Sequence, residues 1–186
     1  GELYRLPAGS TTPAKIVVNP LLGQEPDQSS ESLTQVDDAV VNPTASEAVV
    51  VARGDLFAID LANGRSRPLT RTPAEESEPH YLPDGRGILY LSEHSGEAAI
   101  YTLKPASDAP LSSPGTLTDA LLLHLPGHTI SNPTLSPDGL WLAFVQDGQS
   151  VHLLDMVKHR QRELLGASFN PMRHQITLAF APDSRH

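Results

Sequence analysis

The chain has 186 residues, and its 22 Asp and Glu outnumber its 13 Lys and Arg to give a formal net charge of −9. This acidic balance repels phosphate backbones and argues against a nucleic-acid partner. The lack of cysteine excludes disulfides and thiol chemistry within the chain, and no apolar run approaches the roughly 20 residues that span a bilayer.

The first 35 residues precede the main pattern of the chain. Residues 3–6 and 15–18 are short and apolar, and we assign residues 1–18 to the end strands of a preceding blade or propeller. Residues 19–35 are rich in Pro, Gln, Ser and Glu, which is typical of a linker. Residues 36–186 then form the principal unit.

A repeat runs through residues 36–186. Pro-Asp pairs recur with their aspartates at Asp84, Asp138 and Asp183, which are 54 and 45 positions apart. A degenerate copy spans 42–52, where we take Glu47 as the counterpart of Asp84. A period of about 45 residues is in the range of four-stranded propeller blades.

Two copies of the repeat contain a complete Pro-Asp-Gly turn. Proline presets φ at the first turn position, aspartate caps its own backbone, and glycine adopts positive φ. Each turn leads into an apolar strand, at 88–91 and at 140–145. We therefore predict structural, non-catalytic roles for four turn residues, which are Asp84, Gly85, Asp138 and Gly139.

These units predict an all-β protein of the β-propeller class. About three whole four-stranded blades are expected, with partial blades at each end and a fourth copy beginning at Ile176. Asn63-Gly64 indicates a tight hairpin within the first blade. Propellers close with four to eight blades, so we expect a fragment of a six- or seven-bladed propeller, with further blades beyond His186 and before Gly1.

Candidate chemical sites are few. His124 and His128 have the spacing of helical metal ligands, but the intervening Leu-Pro-Gly does not hold a helix. Ser92, His94 and Asp84 could be imagined as a nucleophile, base and orienting acid, although the repeat already explains them as turn residues. We predict no catalytic, cofactor-binding or metal-binding residue in this chain.

One set of motifs goes beyond a generic propeller. The chain contains Ala52-Arg53-Gly54, then Leu69-Thr70-Arg71-Thr72-Pro73, then Glu78-Pro79, then Ser92-Glu93-His94-Ser95-Gly96-Glu97. In this order they resemble the propeller region of tricorn proteases and their bacterial homologues, over roughly residues 36–186. The chain departs from that pattern at Tyr81-Leu82-Pro83, where Trp-Ser-Pro is usual, and at 42–48, which lacks the Asp-Gly turn.

The resemblance implies a propeller that filters or channels peptides toward a serine peptidase core outside this chain, in a homohexamer. Its partners would then be peptides or other domains of the same protein, and its compartment the cytoplasm. The alternative is a non-enzymatic binding propeller, a TolB-like scaffold or sensor, with a periplasmic location. Whether the parent protein is an enzyme stays open at this point.

Overall fold

A computed structural model describes residues 4–5, 13–15, 19–20, 35–166 and 176–184. The described residues contain β-strands and turns but no helix, and none of their segments could cross a membrane as a helix. The strands, in chain order, are β1 (Tyr4–Arg5), β2 (Ala14–Lys15), β3 (Asn19–Pro20), β4 (Asp38–Val41), β5 (Glu47–Ala52), β6 (Asp55–Asp60), β7 (Arg65–Pro68), β8 (Glu76–Tyr81), β9 (Ile88–Ser92), β10 (Ala99–Pro105), β11 (Leu117–His124), β12 (Ile130–Leu135), β13 (Trp141–Gln146), β14 (Ser150–Asp155) and β15 (Arg160–Leu165).

Twelve of these strands form three consecutive antiparallel meanders. The first sheet contains β4 to β7, the second β8 to β11, and the third β12 to β15. Strand β3 adds to the outer edge of the first sheet by pairing in parallel with β7. This architecture confirms the predicted all-β fold of four-stranded blades.

The domain division at residues 18 and 35 stays a prediction. Strands β1 and β2 pair with each other in a separate two-stranded ladder. Within the predicted linker, 19–20 form strand β3, and 21–34 lie outside the described residues.

Four matching turns mark the repeat, and they correct the sequence alignment in the first copy. In each turn the N–H of the fourth residue donates to the carbonyl of the first: Ala45 to Asn42, Gly85 to Leu82, Gly139 to Ser136, and Ser184 to Ala181, at 2.8 to 3.0 Å. All four donors have positive φ. The counterpart of Asp84 is therefore Thr44 and not Glu47, which begins strand β5.

Two further local predictions differ from the structure. The turn at Asn63-Gly64 is the end of a four-residue loop, 61–64, in which the N–H of Gly64 donates to the carbonyl of Asp60 at 2.8 Å. The fourth copy forms its turn at 181–184, but 176–181 has no strand assignment.

The core lies between the sheets because the middle strands are apolar on both faces. On β13, Leu142 and Phe144 point to one face while Ala143 and Val145 point to the other, and all four are buried. One cluster joins Val49, Val51 and Leu56 of the first sheet to Ile88 and Tyr90 of the second. Another joins the second sheet to the third through residues that include Leu89, Ile100, Leu142 and Phe144.

Candidate functional site at the propeller axis

The first strands of the three sheets, β4, β8 and β12, lie beside one another. Strand β8 contacts both β4 and β12. In a propeller the first strand of each blade lines the central axis. Residues at matching positions of these strands therefore converge there.

Counting back five residues from the turn prolines Pro43, Pro83 and Pro137 gives Asp38, Glu78 and Asn132. Two of these residues occupy irregular positions in their strands. The pairing register of β8 shifts between Ser77 and His80, and that of β12 shifts between Ser131 and Thr134. Glu78 and Asn132 lie within these shifts with φ of 49° and 52°.

Each of the two irregular residues precedes a proline, and both prolines are buried. A left-handed conformation is unfavourable for a residue before proline. Asparagine tolerates it better than glutamate. A bulge of this kind redirects a side chain, and here it directs polar groups toward the neighbouring unit.

The redirected side chains link one unit to the next. The Glu78 carboxylate faces the Asn132 backbone N–H. The Asn132 side-chain amide in turn donates to the carbonyl of Ile176. The same contact direction thus recurs from the second unit to the third and from the third to the fourth.

The electrostatics of this group are set mainly by burial. Burial raises the pKa of Glu78, the nearby Asn132 backbone N–H opposes that rise, and the Asp38 charge adds to it. Burial also lowers the pKa of His80, against the opposing effect of Asp38. We call Asp38, Glu78, His80 and Asn132 the axial cluster; it combines one exposed carboxylate, two half-buried titratable groups and one amide.

The predicted turn residues lie in the loops that follow β8 and β12. The Asp84 Oδ1 accepts from the Arg86 N–H at 3.0 Å. The Asp138 Oδ1 accepts from the Ser136 hydroxyl at 2.6 Å and the Leu140 N–H at 3.0 Å. The Ser136 hydroxyl is the main reason that the pKa of Asp138 is lowered. These contacts support the predicted structural role, which stays a prediction.

The two turn glycines contact the preceding unit. Gly85 and Gly139 have φ of +67° and +71°. A Cβ on Gly85 would lie 3.2 Å from Pro43 Cδ, and one on Gly139 would lie 3.2 Å from Pro83 Cγ. Glycine thus serves both the positive φ and the close approach of the neighbouring proline.

The structure separates His124 from His128. His124 Nε2 lies 2.8 Å from Glu97 Oε2, whereas His128 Nδ1 lies 2.7 Å from Asp147 Oδ2. Among the described residues, no three His, Asp or Glu side chains form a group that could hold a metal ion.

Ser92 and His94 approach each other without forming a catalytic arrangement. The Ser92 Oγ lies 3.3 Å from His94 Nδ1 and 3.3 Å from Glu76 Oε1. The serine therefore lies between the carboxylate and the imidazole, whereas a triad requires the imidazole in the middle. Asp84 is at the opposite end of strand β9, and Ser92 is only 1% exposed.

Sequence reasoning missed a buried clasp around Glu76. Glu76 is 2% exposed. Its carboxylate accepts from the hydroxyls of Thr70 at 2.9 Å, Thr72 at 2.7 Å and Ser92 at 3.3 Å. The Thr70 hydroxyl also accepts the Leu56 N–H at 2.9 Å. The Leu-Thr-x-Thr-Pro segment thus has a structural role, joining the first sheet to the second.

No protein-family model matches the chain, and no curated protein matches it. Among solved structures, its fold is similar to TolB from Acinetobacter baumannii, with 17% identity and a TM-score of 0.68, over 99% of this chain and 41% of that one. A putative TolB from Agrobacterium tumefaciens is 21% identical with a TM-score of 0.62, over 88% of this chain and 55% of that one.

A third similar structure is a puromycin hydrolase mutant complexed with PGG, at 18% identity and a TM-score of 0.58, over 88% of this chain and 27% of that one. At these identities the likeness establishes the β-propeller fold. The chain spans between 27% and 55% of the length of these three proteins.

Proposed function

We propose that this chain is a non-catalytic propeller segment of a tricorn-like serine peptidase, and that peptides bind at the axial cluster on their way to a peptidase core outside the chain. The observation that carries the proposal is the convergence of Asp38, Glu78 and Asn132 on adjacent first strands. The motif resemblance over residues 36–186 and the similarity to a puromycin hydrolase support the peptidase assignment.

The chemistry of the axial cluster suits a cationic or amine-bearing peptide. Asp38 is exposed and can attract an ammonium group, while Glu78 is half-buried, where a charge interaction is stronger than in bulk water. Peptide N-termini and lysine side chains both present such a group. An acidic chain of net charge −9 would also favour their approach over a longer range.

Binding of labelled peptides tests this proposal directly. Fluorescence anisotropy would compare a hexapeptide with a free N-terminus and its N-acetylated form. We expect Asp38→Asn combined with Glu78→Gln to weaken binding of the free-amine peptide by about tenfold, since charge-assisted contacts are removed. Glu163→Gln, at an exposed position on β15, is the matched control. Equal affinities of the double variant and the control would refute the axial site.

Turnover assays test the assignment to a peptidase. The isolated chain should not hydrolyse fluorogenic peptides, because no nucleophile described here has an oriented base. In the full-length protein, the axial variants should raise KM and leave kcat unchanged. Inhibitor-sensitive hydrolysis by the pure chain would contradict the non-catalytic role. Sedimentation of the full-length protein would test the hexamer that the resemblance implies.

The second candidate is a non-enzymatic binding propeller, and the similarity to two TolB structures favours it. The same axial cluster would then bind a protein segment without any following reaction. The full open reading frame distinguishes the two candidates. A PDZ-like segment and a serine peptidase core would support the first, and their absence would support the second.

A further inference from the structure

One connection is much longer than its counterparts. Residues 106–116, which we call the rim loop, join β10 to β11, whereas four residues join the matching strands of the first and third sheets. Within 35–166 it is the longest connection between strands. It also accounts for most of the difference between the repeat spacings of 54 and 45 residues. Hairpin loops in compact domains usually have only about 2 to 5 residues.

The rim loop is fixed to the first sheet. Leu111 is 1% exposed and belongs to the core cluster between the first two sheets. The Ser112 N–H donates to Glu47 Oε2 at 2.6 Å. The Arg67 guanidinium donates to the carbonyls of Leu111 at 3.2 Å, Ser113 and Gly115. The loop is therefore held against the first sheet by packing and hydrogen bonds, and it forms a wall beside that sheet.

A groove of about 480 Å³ lies between this wall and strand β7. Arg65, Arg67 and Arg71 line one side, and residues 112–114 line the other. The one acidic residue in its lining is Asp60, whose carboxylate accepts the Ala62 N–H and the Asn63 side-chain amide at 2.8 and 2.7 Å. The groove thus has a net positive charge in a chain of net charge −9.

Two of the three arginines are available to a ligand. Arg67 is engaged by the rim loop, whereas Arg65 and Arg71 are exposed and their guanidinium groups form no hydrogen bond or ion pair with any described residue. The net negative charge of the chain repels anions, so an anionic ligand needs a local cluster of positive charge such as this one. Guanidinium groups are well suited to bind carboxylates, because their fork matches the two oxygens.

We propose that this groove binds an extended acidic protein segment, with its Asp or Glu carboxylates on Arg65 and Arg71. Arg65 lies on strand β7 and Arg71 follows it beyond Pro68, so the two guanidiniums are separated along the groove and favour a ligand with several carboxylates. Strand β3 already pairs with the backbone edge of β7 at Arg65 and Ser66. The acidic segment is therefore bound by the side chains of the groove and not by pairing with this edge. The site is distinct from the axial cluster and independent of its function.

Fluorescence anisotropy on the full chain tests this site. The probe is a fluorescein-labelled dodecapeptide of alternating Glu and Ser, and the same peptide with Gln in place of Glu is the uncharged control. We expect Arg65→Gln with Arg71→Gln to weaken binding of the acidic probe at least about tenfold, from the loss of two charge-assisted contacts. Arg160→Gln, at an exposed position on β15, should leave the affinity unchanged.

A second variant separates charge from geometry and guards against misfolding. Arg65→Lys with Arg71→Lys keeps both charges but loses the bidentate fork, so its affinity should fall between those of the wild type and the Gln variant. Equal affinity of the Gln double variant and the Arg160→Gln control overturns the proposal. Displacement of the probe by free glutamate at an equal carboxylate concentration also overturns it, because the groove would then be a single-anion site.

Discussion

The interface between the first and second sheets differs from that between the second and third. Both contain an apolar core. The first is also crossed by two buried carboxylates: Glu47 accepts the Tyr81 hydroxyl at 2.9 Å, and Glu76 accepts three hydroxyls. The carboxylate contact across the second interface, between Glu78 and the Asn132 N–H, is only half-buried. The first interface therefore has buried hydrogen bonds that fix one relative placement of its two sheets, while the second depends mainly on apolar packing.

Truncation of Phe144 should have the largest effect and tests the apolar character of the second interface. Phe144 is fully buried in the cluster that joins the second and third sheets. Phe144→Ala should lower the free energy of unfolding by about 4 kcal/mol, through lost burial and an unfilled cavity. Urea denaturation measures the change. Leu140→Ala, at a position that is 47% exposed, is the control; comparable losses for the two variants would contradict the assignment.

Removal of the Glu76 carboxylate tests the polar clasp of the first interface. Glu76→Ala leaves the hydroxyls of Thr70, Thr72 and Ser92 without their acceptor, and we expect a loss of about 3 kcal/mol. Glu76→Gln retains one acceptor oxygen and should cost less. Urea denaturation of both variants gives the comparison. If both changes cost under about 0.5 kcal/mol, which is typical of surface positions, the clasp does not stabilise this interface.

The matching turns offer a paired test that should have a smaller effect. Gly139 has φ of +71° and faces Pro83 in the second interface, so Gly139→Ala should cost about 1 to 2 kcal/mol. Ala45 has φ of 53° in the matching first turn, so Ala45→Gly should stabilise the chain by roughly 0.5 to 1 kcal/mol. Thermal unfolding followed by circular dichroism would measure both. Destabilisation by Ala45→Gly would break the equivalence of the turns.

The smallest effect we expect is a pH dependence near the axis. Because the pKa of His80 is lowered in the folded state, stability should fall as the pH drops below about 6.5 and passes through the folded pKa. The pKa of Glu78 is raised in the folded state, so protonation of this group favours folding and opposes the effect of His80 at lower pH. His80→Gln should reduce the change in the urea unfolding midpoint between pH 7.5 and 5.5. His159→Asn, in an exposed turn, is the control, and an unchanged slope in His80→Gln would exclude the assignment.

Local turn chemistry made much of the fold predictable. Pro-Asp-Gly has a backbone mechanism of its own, and the predicted strands 88–91 and 140–145 correspond closely to β9 and β13. The sequence alignment places the first turn three residues too late, because Ala45 adopts a left-handed conformation without a sequence signature. For the same reason it matches Glu47 to Asp84, although Glu47 begins a strand and is buried.

The candidate sites were less predictable because they depend on register between units. Asp38, Glu78 and Asn132 are 40 and 54 positions apart, and only the stacking of β4, β8 and β12 brings them together. The rim loop has the Pro and Ser content of an ordinary surface connection. Nothing in that composition indicates that Leu111 is buried against a neighbouring sheet.

The anchoring of the rim loop has a consequence for the order of folding. The contact between Glu47 and Ser112 joins residues 65 positions apart, and Arg67 reaches across 44 positions to Leu111. Contacts of such long range form late, because loop closure must precede them. The first two sheets should therefore open and close as one cooperative unit in native-state hydrogen exchange. Amides of β15, whose residues are all exposed, should exchange through smaller and more frequent openings.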